Sequence, residues 1–280
     1  MRPYRLGLYE KSMPAELPLK EKLEEAGRAG FDYLELSVDE SEAKLARLDW
    51  TPSILAETRQ IQADTGVPIV SICLSGHRRF PLGHPDPAVR TRGLQIMEKA
   101  LGLASALGVR LIQIAGYDVY YEPASLSTRE LFAEGLELSV QMAAREGVIL
   151  AFETMETEFM DTVAKAMEWV EKVNSPYLQI YPDIGNMTNA AVKYGSDVLA
   201  DLERGRGHIV ALHLKETRPG IYRDLDFGSG HVGFRSAAAA ALAQGVGLFV
   251  GEFWYAPGSD WRLALRRNGE FLRTALEAGL

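Results

Sequence analysis

Four side chains able to ligate a metal recur at one kind of position in this sequence. Glu153 follows the apolar run Val148-Ile149-Leu150-Ala151-Phe152, Asp183 follows Ile180-Tyr181-Pro182, His213 sits within Ala211-Leu212-His213-Leu214-Lys215, and Glu252 follows Leu248-Phe249-Val250-Gly251. Taken singly, each is ordinary. An acid at a strand end commonly caps the next helix, and a histidine in an apolar strand commonly hydrogen-bonds within a core. Four ligand types on four consecutive strand ends are expected from neither role. Three carboxylates brought together would repel and be poorly solvated unless a cation compensated them. Three oxygen donors with one imidazole suit one divalent ion, with Zn²⁺ or Mn²⁺ ahead of Mg²⁺ or Co²⁺.

The elements that must position these residues follow from hydrophobic period. Short runs rich in Val, Ile, Leu and aromatics alternate with longer segments of helical period, the pattern of repeated βα units. Eight strands are predicted, over 4–9, 32–37, 68–73, 110–115, 148–153, 177–182, 209–214 and 247–252. Helical stretches follow them, for example 88–107 and 127–145, and the alanine run 237–241 reads as a tightly packed helix. Gly30, Gly66, Gly108, Gly147 and Gly245 precede strands and are expected to close the preceding helices at φ > 0. Strands apolar at every position are buried on both faces, as parallel strands under helices are. Eight such units predict an α/β fold, a single (β/α)₈ TIM barrel spanning 1–280, in which chemistry sits at the C-terminal strand ends. No Gly-x-Gly-x-x-Gly follows the first strand, which opposes an open doubly wound sheet.

Composition narrows the function classes. Thirty Lys and Arg against 38 Asp and Glu give a net charge of −8, which opposes a nucleic-acid partner because such binding relies on cations displacing counterions. A single cysteine, Cys73, excludes an internal disulfide and a thiolate-rich metal site, and reads as a small core residue. The N-terminal residues show no signal-peptide core, and no apolar run approaches the ~20 residues of a bilayer span, so a soluble cytoplasmic protein without membrane attachment is expected.

The motifs carry a family resemblance along nearly the whole chain. Gly7-Leu8-Tyr9-Glu10-Lys11, Leu36-Ser37-Val38-Asp39-Glu40, Arg47-Leu48-Asp49-Trp50, Tyr181-Pro182-Asp183-Ile184-Gly185-Asn186 and the long, unusual run Cys73-Leu74-Ser75-Gly76-His77-Arg78-Arg79-Phe80-Pro81-Leu82-Gly83 resemble the L-ribulose-5-phosphate 3-epimerase family of xylose-isomerase-like barrels. That resemblance implies an isomerase interconverting L-ribulose 5-phosphate and L-xylulose 5-phosphate in carbohydrate metabolism, as a homo-oligomer, dimer or tetramer. Epimerisation at C3 removes a proton α to the C2 carbonyl and returns it to the opposite face, with a divalent metal expected to stabilise the enediolate. Glu153 and Glu252 flank Asp183 and His213 in strand order, so they are expected to supply the acid and base, and the resemblance implies the same pair. Two positions depart from the family pattern: Glu156 stands where relatives tend to carry Asp, and Gly233 where many carry Asp.

An anionic substrate requires a local exception to the acidic balance. One candidate phosphate site is the loop Phe227-Gly228-Ser229-Gly230-His231, whose Gly228 and Gly230 amides could face a phosphate; another is His77-Arg78-Arg79, through His77 and Arg78. Glu156, Lys215, Arg218 and Asn186 are further substrate contacts. Relatives acting on free ketoses often carry histidine at the Asn186 position, so Asn186 hints at a different substrate class. His208 should lie at the far, stability end of the barrel, while Tyr117, Tyr120 and Tyr121 could roof the pocket. Other readings compatible with these residues are a ketose–aldose isomerase, a 3-epimerase of hexulose 6-phosphate or a free ketose, a sugar-phosphate binder without activity, and, against the net charge, an abasic-site endonuclease.

Overall fold

A computed structural model describes residues 2–280. Eight parallel strands form one sheet: β1 Arg5–Tyr9, β2 Tyr33–Val38, β3 Ile69–Leu74, β4 Leu111–Ala115, β5 Ile149–Glu153, β6 Leu178–Ile180, β7 Leu212–Leu214 and β8 Leu248–Gly251. The order is β6-β5-β4-β3-β2-β1-β8-β7. Bridges Ile180–Ile209 and Asp183–His213 join its two ends, closing the barrel. The helices are α1 Leu19–Arg28, α2 Glu42–Leu45, α3 Pro52–Thr65, α4 Pro87–Leu107, α5 Leu126–Glu146, α6 Val163–Val173, α7 Ile184–Tyr194, α8 Val198–Arg204, α9 Phe234–Ala243 and α10 Trp261–Glu277. The five glycines expected to reverse the chain all have positive φ, between 64° and 86°. No described helix is long and apolar enough to cross a membrane.

The sixth and seventh strands are shorter than the sequence predicts. Pro182 lacks the N–H that a continuing ladder needs, so β6 stops at Ile180, and pairing resumes only where the His213 amide donates to the Pro182 carbonyl at 2.9 Å. This short-stranded seam places Asp183 and His213 side by side.

Period-two alternation sorts side chains between two layers. On β2, Leu34, Leu36 and Val38 join the large core between sheet and helices. Tyr33, together with Cys73, Leu111, Ala151, Tyr181, Ala211 and Val250, fills the barrel interior. Polar residues share the interior: Glu35, Ser71, Gln113 and His213 are all buried. Burial on both faces therefore holds as predicted, but one buried face is partly polar.

Candidate active site

Alternation brings the four ligand candidates to one mouth of the barrel. Glu153 ends β5, Asp183 opens α7, His213 is central in β7, and Glu252 follows β8; all four are buried. One donor atom from each lies within 4.8 Å of the others. His213 Nδ1 is 2.9 Å from Glu252 Oε2, 3.7 Å from Glu153 Oε1 and 3.9 Å from Asp183 Oδ2.

Asp183 serves in two ways at once. Its Oδ1 accepts from the Asn186 amide at 2.7 Å, capping α7, so the ordinary role of a strand-end acid is real here. Its Oδ2 is buried without a hydrogen-bond partner and lies 3.1 Å from Lys215 Nζ, which is also 3.6 Å from Glu252. One ammonium shared between Asp183 and Glu252 offsets only part of the charge of three crowded, buried carboxylates. With two further carboxylates and an imidazole converging on the same point, the donor set fits a divalent cation.

The electrostatics follow from burial and crowding. Burial and the charge of Glu252 raise the Glu153 carboxyl. Burial also pushes Asp183 well up, helped by Glu252 and Glu153 against the opposing pull of Lys215. At Glu252 burial is outweighed by Lys215 and His213, which hold it well below the usual range. His213 is raised because Glu35 and Glu252 overcome its desolvation. Lys215 is raised by Asp183, Glu252 and Glu153 despite burial.

A cavity above this cluster is shared by Glu153, Glu252, Asn186 and four cations: Lys11, Arg78, Lys215 and Arg223. Of the sequence-predicted substrate contacts, the fold brings Arg78, Glu156, Asn186 and Lys215 here. Glu156 accepts from Tyr120 at 3.0 Å, and the Arg78 guanidinium lies 4.5 Å from the Tyr120 ring, so Tyr120 buttresses two residues of the cavity wall. The Asn186 amide nitrogen donates to the Thr154 carbonyl at 2.7 Å.

The remaining contacts fall elsewhere. His77 is buried with a ring nitrogen 3.1 Å from the Gly93 carbonyl on α4, and burial lowers it to about 4, so it is a neutral structural group rather than a phosphate-binding cation. Arg218 is exposed and donates to the Ser229 carbonyl at 2.7 Å. The glycine loop is already occupied by an internal anion: Glu216 accepts from the amides of Gly228 at 2.7 Å, Thr217 at 3.1 Å and Val232 at 3.2 Å. Gly230 packs directly on the Glu216 carboxyl, leaving no room for a side chain. The Gly228 amide is therefore already committed to Glu216 rather than open to a phosphate, and Gly230 is placed against that same carboxylate, whose charge opposes an anion there. Gly233 leaves α9 without a side-chain cap. Tyr121 reaches Glu40 at an exposed rim, and His208 contacts Gln179 at the other end of the barrel.

Sequence reasoning missed Glu35, Lys11 and Arg223. Glu35 carried a signal, since Tyr33-Leu34-Glu35-Leu36-Ser37-Val38 places a charge inside a strand on the face opposite its aliphatic residues. Arg223 lies in the long segment after β7 and carried none.

The match to known proteins agrees with this geometry. Residues 23–275 match the family described as Xylose isomerase-like TIM barrel. The chain is 46% identical over 250 residues to L-ribulose-5-phosphate 3-epimerase UlaE of Salmonella paratyphi C (strain RKS4594), covering 89% of this chain and 87% of that one. It is 43% identical over 256 residues to the UlaE of Escherichia coli (strain SMS-3-5 / SECEC), covering 91% and 89%. Among solved structures, D-psicose 3-epimerase with D-tagatose from Clostridium cellulolyticum H10 superposes with a TM-score of 0.81 at 17% identity, covering 97% of this chain and 99% of that one. An L-ribulose 3-epimerase superposes with a TM-score of 0.79 at 18% identity, covering 99% and 95%. The chain thus belongs to the xylose isomerase-like TIM-barrel family and, within it, to the L-ribulose-5-phosphate 3-epimerases.

Proposed function

We propose that this protein is a metal-dependent 3-epimerase interconverting L-ribulose 5-phosphate and L-xylulose 5-phosphate. The observation that carries the reading is one buried mouth where donor atoms of three carboxylates and an imidazole lie within 4.8 Å of one another beneath a cationic rim. Glu153, Asp183, His213 and Glu252 would hold the ion, with Zn²⁺ or Mn²⁺ favoured by the mixed oxygen and imidazole set. When bound, a divalent cation would polarise the C2 carbonyl and so acidify the C3 proton.

The chain's own residues supply the rest. Glu153 and Glu252 reach the cluster from β5 and β8, on either side of Asp183 and His213 in the barrel order. One takes the C3 proton while the other returns a proton to the opposite face. The substrate phosphate is assigned to Arg78 with Lys11 and Arg223, since guanidinium groups bind phosphate bidentately. Tyr9, Met155 and Trp254 cover the cavity with apolar surface that limits water access. The expected setting is cytoplasmic, with a homo-oligomeric assembly.

Turnover of L-ribulose 5-phosphate in D₂O tests the reaction. Deuterium at C3 of both pentuloses is expected. Deuterium at C1 alone would replace the proposal with ketose–aldose isomerisation, and no turnover of either pentulose phosphate would end it.

A further inference from the structure

The two nitrogens of His213 face opposite ways. Nδ1 faces the three carboxylates of the candidate metal site, whereas Nε2 lies 2.7 Å from Glu35 Oε1. Neutral imidazole has one lone pair, and the hydrogen bond made by one nitrogen decides whether the other can ligate. We propose that Glu35 is a positioning residue that keeps the His213 Nε2 proton in place and the ring oriented, so that Nδ1 presents its lone pair to the cation. This rests on the metal reading above and adds a residue outside the ligand set.

Glu35 is held in place for such a role. Its other oxygen accepts from Ser71 Oγ at 2.6 Å and from Tyr181 OH at 2.9 Å, so β2, β3 and the segment after β6 fix one carboxylate inside the barrel. The Tyr181 ring also stands edge-on to the His213 ring, with centroids 4.9 Å apart, bracing both members of the pair. Gln113 does not select a tautomer, because its amide nitrogen is nearly equidistant from the two ring nitrogens, at 3.1 and 3.2 Å. A filling role alone does not account for Glu35, since a buried carboxyl is costly without dedicated partners and an aliphatic side chain would fill the same space. A carboxylate behind a metal-binding histidine also increases the basicity of the ligating nitrogen.

Metal affinity of the full-length protein tests the proposal independently of turnover. Metal-free wild type, Glu35→Gln and Tyr181→Phe are titrated with Zn²⁺ against a chromophoric chelator and with Mn²⁺ by electron paramagnetic resonance. Loss of the outer carboxylate is expected to weaken both metals by about 10- to 100-fold. Tyr181→Phe keeps the ring and the Glu35 charge and is expected to weaken them roughly 2- to 10-fold. In the Zn²⁺-loaded wild type, ¹⁵N shifts of His213 should report a protonated Nε2, and Glu35→Gln should shift them. Affinities within threefold of wild type for Glu35→Gln, with unchanged His213 shifts, overturn the proposal while leaving the metal site standing. If Glu35→Gln does not fold, a Tyr181→Phe affinity equal to wild type overturns it. A wild type that binds neither metal overturns the metal reading and this proposal together.

Discussion

Replacing Arg78 by Met separates phosphate recognition from the chemistry at C3. Arg78 shares the cavity with Glu156 and Lys215, and its Nε is buried without a hydrogen-bond partner, whereas the neighbouring Arg79 pairs with Glu42. Its guanidinium is therefore held in place by stacking on Tyr120 rather than consumed by a carboxylate. A hydrogen bond to a charged group contributes about 1.5–3 kcal/mol, and each 1.36 kcal/mol is tenfold in rate. Arg78→Met should thus lower kcat/KM for L-ribulose 5-phosphate by roughly 10- to 150-fold. Unphosphorylated L-ribulose, which makes no such contact, should change by less than about threefold. Loss of the stacking contact costs about 0.5–1 kcal/mol, so Tm should fall by no more than about 4 °C. The assay is steady-state epimerisation of both substrates with the melting curve as control. An equal loss on the two substrates, or no loss on either, refutes the assignment of Arg78 to the phosphate.

Two further outcomes follow from particular contacts. Asp183→Asn should keep the α7 cap, since Asn caps as well as Asp, so the metal-free protein should still fold and melt cooperatively, with Glu252 left as the partner of Lys215. It should lose most of the stabilisation that added Zn²⁺ or Mn²⁺ gives wild type, because stabilisation by a ligand of the folded state grows with the logarithm of its concentration over Kd and vanishes once Kd exceeds the metal concentration. A metal-induced Tm shift equal to wild type would remove Asp183 from the ligand set. At the end of β1, buried Glu10 holds Lys22 at 2.8 Å and Lys44 at 2.6 Å and also bonds Arg47. Glu10→Gln leaves those cations uncompensated and should destabilise the fold by about 3–5 kcal/mol in urea. Despite its burial, Arg47, Lys44 and Lys22 hold the Glu10 carboxyl far below the ordinary carboxylate range. A group depressed in the folded state contributes fully above its unfolded value, and the contribution is lost as pH falls toward the folded value. The stability gap between wild type and Glu10→Gln should therefore be constant above about pH 5 and narrow steadily below it; a gap independent of pH between 5 and 3 would contradict the cluster's role.

Much of this protein is legible in its amino-acid sequence, because its chemistry is written at strand ends. The continuous apolar runs that lead to Glu153, Asp183 and Glu252, with His213 inside the seventh, mark the barrel strands and the candidate ligands at their ends, since side-chain direction alternates along each strand whatever its partners. The five reversing glycines are legible for the same reason. Contacts between distant segments are decided by the tertiary structure. Only barrel closure at the Pro182 seam sets Asp183 beside His213, and only the crossing of the interior puts Glu35 behind the same imidazole, 178 residues away in sequence. The glycine loop looks like a phosphate cradle in sequence, but its Gly228 amide is taken by Glu216, and a basic-looking His77 is neutralised by burial against α4. Residue type and spacing specify which groups can do chemistry, because those are properties of the chain. Which groups remain free to do it depends on partners and desolvation, and these exist only once the chain has folded.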